Sequence, residues 1–139
     1  MSVGETPPAP QVNGLLEVAL YVDDVERSVQ FYQTLFGLTI IASDERLCAL
    51  GVAGKELLLV CQRTASANFA TGSHYAEGHQ HVAFAVSATE FQAWLTRLEL
   101  HGVTVEQVRQ WERGGRSLYF RDPDQHLIEL ASPGVWSIY

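Results

Sequence analysis

Cationic residues are scarce in this chain. Its 139 residues carry nine Lys and Arg against 16 Asp and Glu, a formal charge of −7 and a pI near 5.1. Nucleic acids and anionic membrane surfaces select clustered Lys and Arg, so neither is an expected partner. No apolar run is long enough to span a bilayer. The first residues hold Pro7, Pro8 and Pro10 rather than a basic stretch followed by an apolar one. No secretory leader is read there, and a cytoplasmic location is expected. Cysteine is nearly absent. Cys48 and Cys61 fall in apolar, strand-like runs without Cys-x-x-Cys spacing. They read as small buried residues rather than a reactive thiol or metal ligand. A hydrophobic content of 47% is ordinary for a globular chain. It suits one compact domain or two small modules sharing a core.

What the chain does have is a copy of itself. Leu16 to Val22 lies over Gln80 to Val86 at a constant offset of 64 (Glu17 onto His81). Arg46 to Val60 lies over Arg116 to Leu130 without a gap, at an offset of 70 (Arg46 onto Arg116). A unit used twice must join its halves along a seam, and seams are natural places for a site.

Each half reads as strand–helix–strand–strand–strand. In the first, Leu15 to Val22 is a strand, and Asp23 with Glu26 resembles a capping box. Val25, Val29, Tyr32 and Phe36 line a helix that Gly37 stops, and strands follow over 38–42, 46–52 and 56–62. In the second, His81 to Val86 is a strand, Ser87 caps with Glu90, and Phe91, Trp94, Leu95 and Leu98 form the apolar stripe. Gly102 ends that helix, and strands follow over 103–108, 117–122 and 126–131. The organisation expected is a loose tail over 1–13, a first module over 14–62, a connector or mobile loop over 63–78, a second module over 79–134 and a short tail over 135–139.

Alternation assigns the faces. Val18, Leu20 and Val22 share one face, as do Val82, Phe84 and Val86 in the copy, and that aliphatic face suits packing under a helix. The opposite face carries Glu17, Ala19 and Tyr21 in one copy and His81, Ala83 and Ala85 in the other. In the last strand Glu129 alternates among small or apolar neighbours. A lone carboxylate in such a strand is costly to bury unless paired or coordinated. Two carboxylates and one imidazole can share a divalent cation, and the mixture suits Mn, Fe, Ni, Zn or Mg. Glu17 and His81 occupy equivalent positions, and Glu129 is equivalent to Leu59. Three of four related positions are therefore ligand-capable, which leaves coordination sites open for substrate or water. The alternative is a solvated Glu17 and a His81 bonded to a backbone carbonyl.

The segments Leu16 to Tyr32, His81 to Phe84 and Ser117 to Leu130 look like the vicinal oxygen chelate superfamily. That superfamily includes glyoxalase I, fosfomycin-resistance thiol transferases, extradiol dioxygenases, methylmalonyl-CoA epimerase and bleomycin-binding proteins. The resemblance covers roughly residues 14–134 and implies an α+β fold. Two paired βαβββ modules would form an incomplete-barrel cup around a divalent metal, usually in a homodimer. By position it implies Glu17, His81 and Glu129 as metal ligands. The family usually has His where Glu17 stands, and the extra negative charge favours harder cations. Glyoxalase I resembles a four-ligand pattern with a carboxylate where this chain has Leu59, so the three-ligand fosfomycin-resistance and extradiol types fit better. Gln125 stands where the family turn commonly has Gly, which touches turn geometry.

Tyr119, ten residues before Glu129, lies where related enzymes place a substrate-contacting Tyr that donates a hydrogen bond or acts as an acid. Tyr21, Ser117, Tyr119 and Arg121 are the substrate-binding candidates, with Arg116 or Arg121 suited to a carboxylate or phosphonate. Tyr119 and Glu129 are the candidates for proton handling. Trp111, Trp136 and Tyr139 either seal a pocket or pack at a dimer interface. The resulting expectation is a metal-dependent lyase, thiol transferase or dioxygenase acting on a small molecule. A metal-free module that sequesters a drug-like compound is the alternative, motivated by Glu17.

Overall fold

The computed structural model describes Gly4, residues 6–68 and residues 72–139. Part of the expected N-terminal tail (1–3 and 5) and part of the connector (69–71) lie outside the described residues. The first unit is β1 (Glu17–Val22), α1 (Val25–Phe36), β2 (Thr39–Ser43), β3 (Leu47–Val52) and β4 (Glu56–Gln62). A short helix, α2 (Arg63–Ala67), follows. The second unit is β5 (His81–Ala85), α3 (Phe91–Leu100), β6 (Gln107–Gln110), β7 (Arg116–Arg121) and β8 (Leu127–Ala131).

Both units build the same open four-stranded sheet, β1-β4-β3-β2 and β5-β8-β7-β6. The two repeat offsets hold in the ladders. Ala19 pairs with Leu59 across β1 and β4, and Ala83 pairs with Glu129 across β5 and β8. The fold is α+β, with two mixed sheets that stay open among the described residues.

Local chemistry moves several boundaries. The cap of α1 is Asp24, whose carboxylate accepts from the Arg27 backbone N–H at 3.2 Å. Asp23, the cap expected from the sequence, is engaged elsewhere: its N–H donates to Asp124 Oδ1 at 3.0 Å and its carboxylate meets Arg63. Gly37 ends α1 at φ 68°, the left-handed conformation that glycine adopts without strain. Ser87 opens a 3-10 turn over Ala88–Glu90, with its hydroxyl on Glu90 rather than on a backbone N–H. Residues 63–67 of the expected connector are helical because the Gln62 side chain accepts from the Ala65 N–H at 2.6 Å. The strand expected over 103–108 begins at Gln107, with the Glu106 N–H already on the Tyr119 carbonyl, since Val103 and Val105 turn into the core instead.

That core lies between the units. Leu20, Val22, Leu50, Leu58 and Val60 of the first pack with Phe91, Leu98, Leu118, Phe120, Ile128 and Leu130 of the second. Helix α1 joins them: Phe31 meets Phe120, and Phe36 meets Phe84 and Trp94. The aliphatic strand faces are thus the ones that meet within a chain. The opposite faces turn outward, the first carrying a small apolar cluster of Tyr21, Ala49, Leu59 and Cys61. No helix among the described residues is long and apolar enough to cross a membrane.

Candidate metal centre

His81 opens β5 and Glu129 lies in the middle of β8, its parallel neighbour. Both project onto the outward face of the second sheet, and His81 Nε2 lies 3.2 Å from Glu129 Oε1. The other imidazole nitrogen, Nδ1, lies 2.9 Å from the Leu127 carbonyl oxygen. A carbonyl only accepts, so Nδ1 bears a hydrogen. A neutral ring then turns the lone pair of Nε2 onto a carboxylate oxygen. Two acceptors so close need a hydrogen or a cation between them. The spacing suits a cation: bonds of about 2.1 Å at a right angle put two donor atoms about 3 Å apart.

Glu129 is 7% exposed, and its second oxygen is also partnered. Ser117 Oγ donates to Oε2 at 2.5 Å, and Trp111 Nε1–H donates to Ser117 Oγ at 3.0 Å. Its two polar contacts, His81 on Oε1 and Ser117 on Oε2, offset the desolvation of the carboxylate. The Arg109 guanidinium lies 3.7 Å over the Trp111 ring and forms no ion pair among the described residues. Tyr119 is the direct cross-strand partner of Glu129. Burial, reinforced by the Glu129 carboxylate, raises its phenol above the ordinary tyrosine value. It therefore keeps its proton at neutral pH and is a donor.

Glu17 stands apart from this pair. Among the described residues, no three His, Cys, Asp or Glu side chains gather closely enough to hold an ion within one chain. The packing of β1 explains this. At its C-terminal end, the Tyr21 N–H donates to Gln80 Oε1 and the Tyr21 carbonyl accepts from His126 Nε2. That end of β1 therefore sits beside the start of β5. Glu17 lies four residues back along the strand, about 13 Å at 3.3 Å per residue. It lines a cleft of about 420 Å³ with Ala83 and Ala85 rather than with His81, and it is exposed.

The remaining candidates are distributed. Tyr21 is buried on the outward face of the first sheet, its hydroxyl 2.5 Å from His74 Nδ1. Ser117 is fully buried, with its single hydroxyl proton on Glu129. Arg121 pairs with Glu106 at 3.0 Å and donates to the Gln125 carbonyl at 3.1 Å. Arg116 turns to the helix side and lies over Phe91. Arg109 is the addition to the site, and Trp111, expected to seal a pocket or pack at a dimer interface, joins it through Ser117. Ending β6 at 108, two residues early, hides Arg109, which shares the outward row of Ser117 through direct pairing.

The chain is 29% identical over 121 residues to the metallothiol transferase FosB of Shouchella clausii (strain KSM-K16), covering 86% of this chain and 80% of that protein. The lactoylglutathione lyase structure from Agrobacterium tumefaciens superposes with a TM-score of 0.85 at 28% identity, covering 92% of this chain and 99% of that one. The fosfomycin resistance protein FosX of Listeria monocytogenes, solved with Mn(II) and sulfate, gives 0.69 at 25% identity, covering 90% and 94%. These named relatives include a thiol transferase and a lyase, so the chain is homologous to enzymes. A family model matches residues 14–130, and the chain belongs to the Glyoxalase/Bleomycin resistance protein/Dioxygenase superfamily.

Proposed function

We propose that this protein is a metal-dependent enzyme of the fosfomycin-resistance type, joining a thiol to a small substrate that presents neighbouring oxygens. The single observation that carries this reading is the 3.2 Å approach of His81 Nε2 to Glu129 Oε1, with Nδ1 held on a carbonyl. The thiol comes from the names of the relatives. Leu59, where a fourth carboxylate ligand is needed for the glyoxalase I pattern, disfavours that reaction.

His81 and Glu129 of one chain would hold the cation, and Glu17 would reach it from a second copy in a homodimer. Two features favour a second copy. Glu17 is exposed and lies away from His81 in its own chain, and His81 is half-exposed on the other sheet. The first sheet's face, with Ala19, Leu57 and Leu59 around Glu17, is an apolar wall for such a cup. Once bound, a divalent cation supplies Lewis-acid stabilisation of an oxyanion. Tyr119 donates its phenol hydrogen to a substrate oxygen beside Glu129. Arg109, fixed on Trp111, offers a guanidinium to an anionic substrate group from the same face. Arg121 could serve an anion only by leaving Glu106, and Tyr21 would enter from the facing wall.

The test is metal content after purification without chelator. Wild type should carry a divalent cation, and Glu129→Ala, His81→Ala and Glu17→Ala should each lose it. Equal content in wild type and Glu129→Ala overturns the reading. Mixing Glu17→Ala with Glu129→Ala chains tests the second copy. Random re-pairing should restore about a quarter of the sites, because half of the dimers are mixed and each mixed dimer has one intact site. No recovery overturns the site shared between two copies.

A further inference from the structure

We infer that Ser117 and Trp111 are positioning residues that hold the Glu129 carboxylate in one orientation, with Oε1 toward His81 and Oε2 tied back. The metal consequence of this relay rests on the function proposed above; the relay itself rests on geometry. The indole N–H is a donor without acceptor capacity, so Ser117 Oγ must accept from Trp111. A serine hydroxyl has one hydrogen, and an ionised carboxylate only accepts. The hydrogen of Ser117 must therefore go to Glu129 Oε2. The chain from Trp111 to Ser117 to Glu129 has one possible direction. Arg109 stacks over the indole from outside and fixes the plane from which the first donor points. The repeat offers an independent observation. Ser117 corresponds to Leu47 and Glu129 to Leu59, so the hydroxyl is present in the copy that has the carboxylate and absent from the copy that lacks it.

The relay makes Glu129 a one-oxygen ligand. With Oε2 committed, Oε1 alone faces His81, and neighbouring coordination positions stay open for the oxygens of a substrate. Partners of metal ligands typically change cation affinity 10- to 100-fold when removed.

Mn(II) binding to metal-free protein, followed by electron paramagnetic resonance, tests this. Ser117→Ala should weaken binding about 10- to 100-fold, while Ser117→Thr, which keeps the hydroxyl, should stay near wild type. Trp111→Phe, which keeps the ring for Arg109, should weaken binding less than Ser117→Ala. The double variant Ser117→Ala/Trp111→Phe should bind no worse than Ser117→Ala alone, because Trp111 acts through Ser117. Unchanged binding in Ser117→Ala, or additive losses in the double variant, overturns the relay. Should wild type bind no Mn(II), the proposed function fails and the relay is judged separately, by three-bond NMR couplings of the Glu129 side chain. One rotamer in wild type and several in Ser117→Ala uphold it; identical couplings overturn it.

Discussion

The two sheets share a scaffold and differ on one face. On the helix-bearing face the copies match in kind: Leu50 corresponds to Phe120, Leu58 to Ile128 and Val60 to Leu130, and all are essentially buried. On the outward face the first sheet runs Ala19, Leu59, Ala49 where the second runs Ala83, Glu129, Tyr119. Leu47 faces outward where Ser117 does in the copy, and Glu17 where His81 does. Burial between the units constrains one side of each strand. The other side is free to diverge, and the polar centre was built on the second sheet while the first remained a wall.

The largest effect should come from the face the copies have in common. Phe120 is fully buried against Phe31 and Phe36 of α1, and Leu50 is fully buried in the same core. Phe120→Ala should cost about 3–5 kcal/mol and Leu50→Ala about 2–5 kcal/mol. Chemical denaturation measures both. If either costs less than a surface substitution, the shared core between the units is wrongly drawn.

Exchanging the diverged residues should give an asymmetric result. Leu59→Glu puts a carboxylate at a 9% exposed position among Ala49, Tyr21 and Cys61. No serine stands where Ser117 does, because Leu47 occupies that position, and the equivalent of His81 is another carboxylate, Glu17. Roughly 2–3 kcal/mol of destabilisation is expected from burying that group unpaired. The reverse change, Glu129→Leu, removes a charge that needs partners and adds apolar surface. It also leaves the buried Ser117 hydroxyl without its acceptor, so it should cost about 1 kcal/mol, the low end for a stranded buried donor, while eliminating cation binding. Equal and large losses from both exchanges would mean that Glu129 serves the fold rather than the site.

How far the sequence carries the reader follows from the same contrast. The duplicated pattern, with its helix stripes and glycine stops, is enough to give the order of elements and the faces of the strands, because 2.0- and 3.6-residue periods depend on burial alone. Alternation also suffices to put His81, Ser117, Tyr119 and Glu129 on one face. It is not enough to show which faces meet. Glu17 shares the periodicity of His81, yet the contact of Tyr21 with Gln80 and His126 sets β1 so that Glu17 lines a cleft with Ala83 and Ala85 instead. That is a matter of packing between units more than 60 residues apart, which no local spacing encodes. The same holds for Asp24 as cap and for β6. Each was displaced by a partner from the other half or from the core, Asp124 for Asp23 and the buried side of Val103 and Val105 for the strand start.

An effect well below that of the core truncations is expected on the junction itself, where the helices differ. Tyr32 of α1 is fully buried and donates to Asp122 Oδ2 at 2.6 Å, tying the first helix to the turn before β8. Its equivalent in α3 is the exposed Thr96. Asp122 also accepts from the Asp124 and His126 backbone N–H groups, so Tyr32→Phe should cost about 1.5 kcal/mol, the low end for a bond to a charged group. The pH dependence is more specific. Burial, then the negative charge of Asp122 and its hydrogen bond, hold the Tyr32 phenol well above its ordinary value of 10.0. The folded chain therefore keeps a proton that the unfolded chain releases near pH 10. The stability so contributed is fully present below about pH 10 and falls as pH rises toward the folded value. Melting temperatures between pH 8 and pH 11.5 should drop more steeply for wild type than for Tyr32→Phe, with the two curves converging at the alkaline end. Parallel curves throughout that range would show that the tyrosine carries no proton-linked stability, and the junction would then rest on aromatic packing alone.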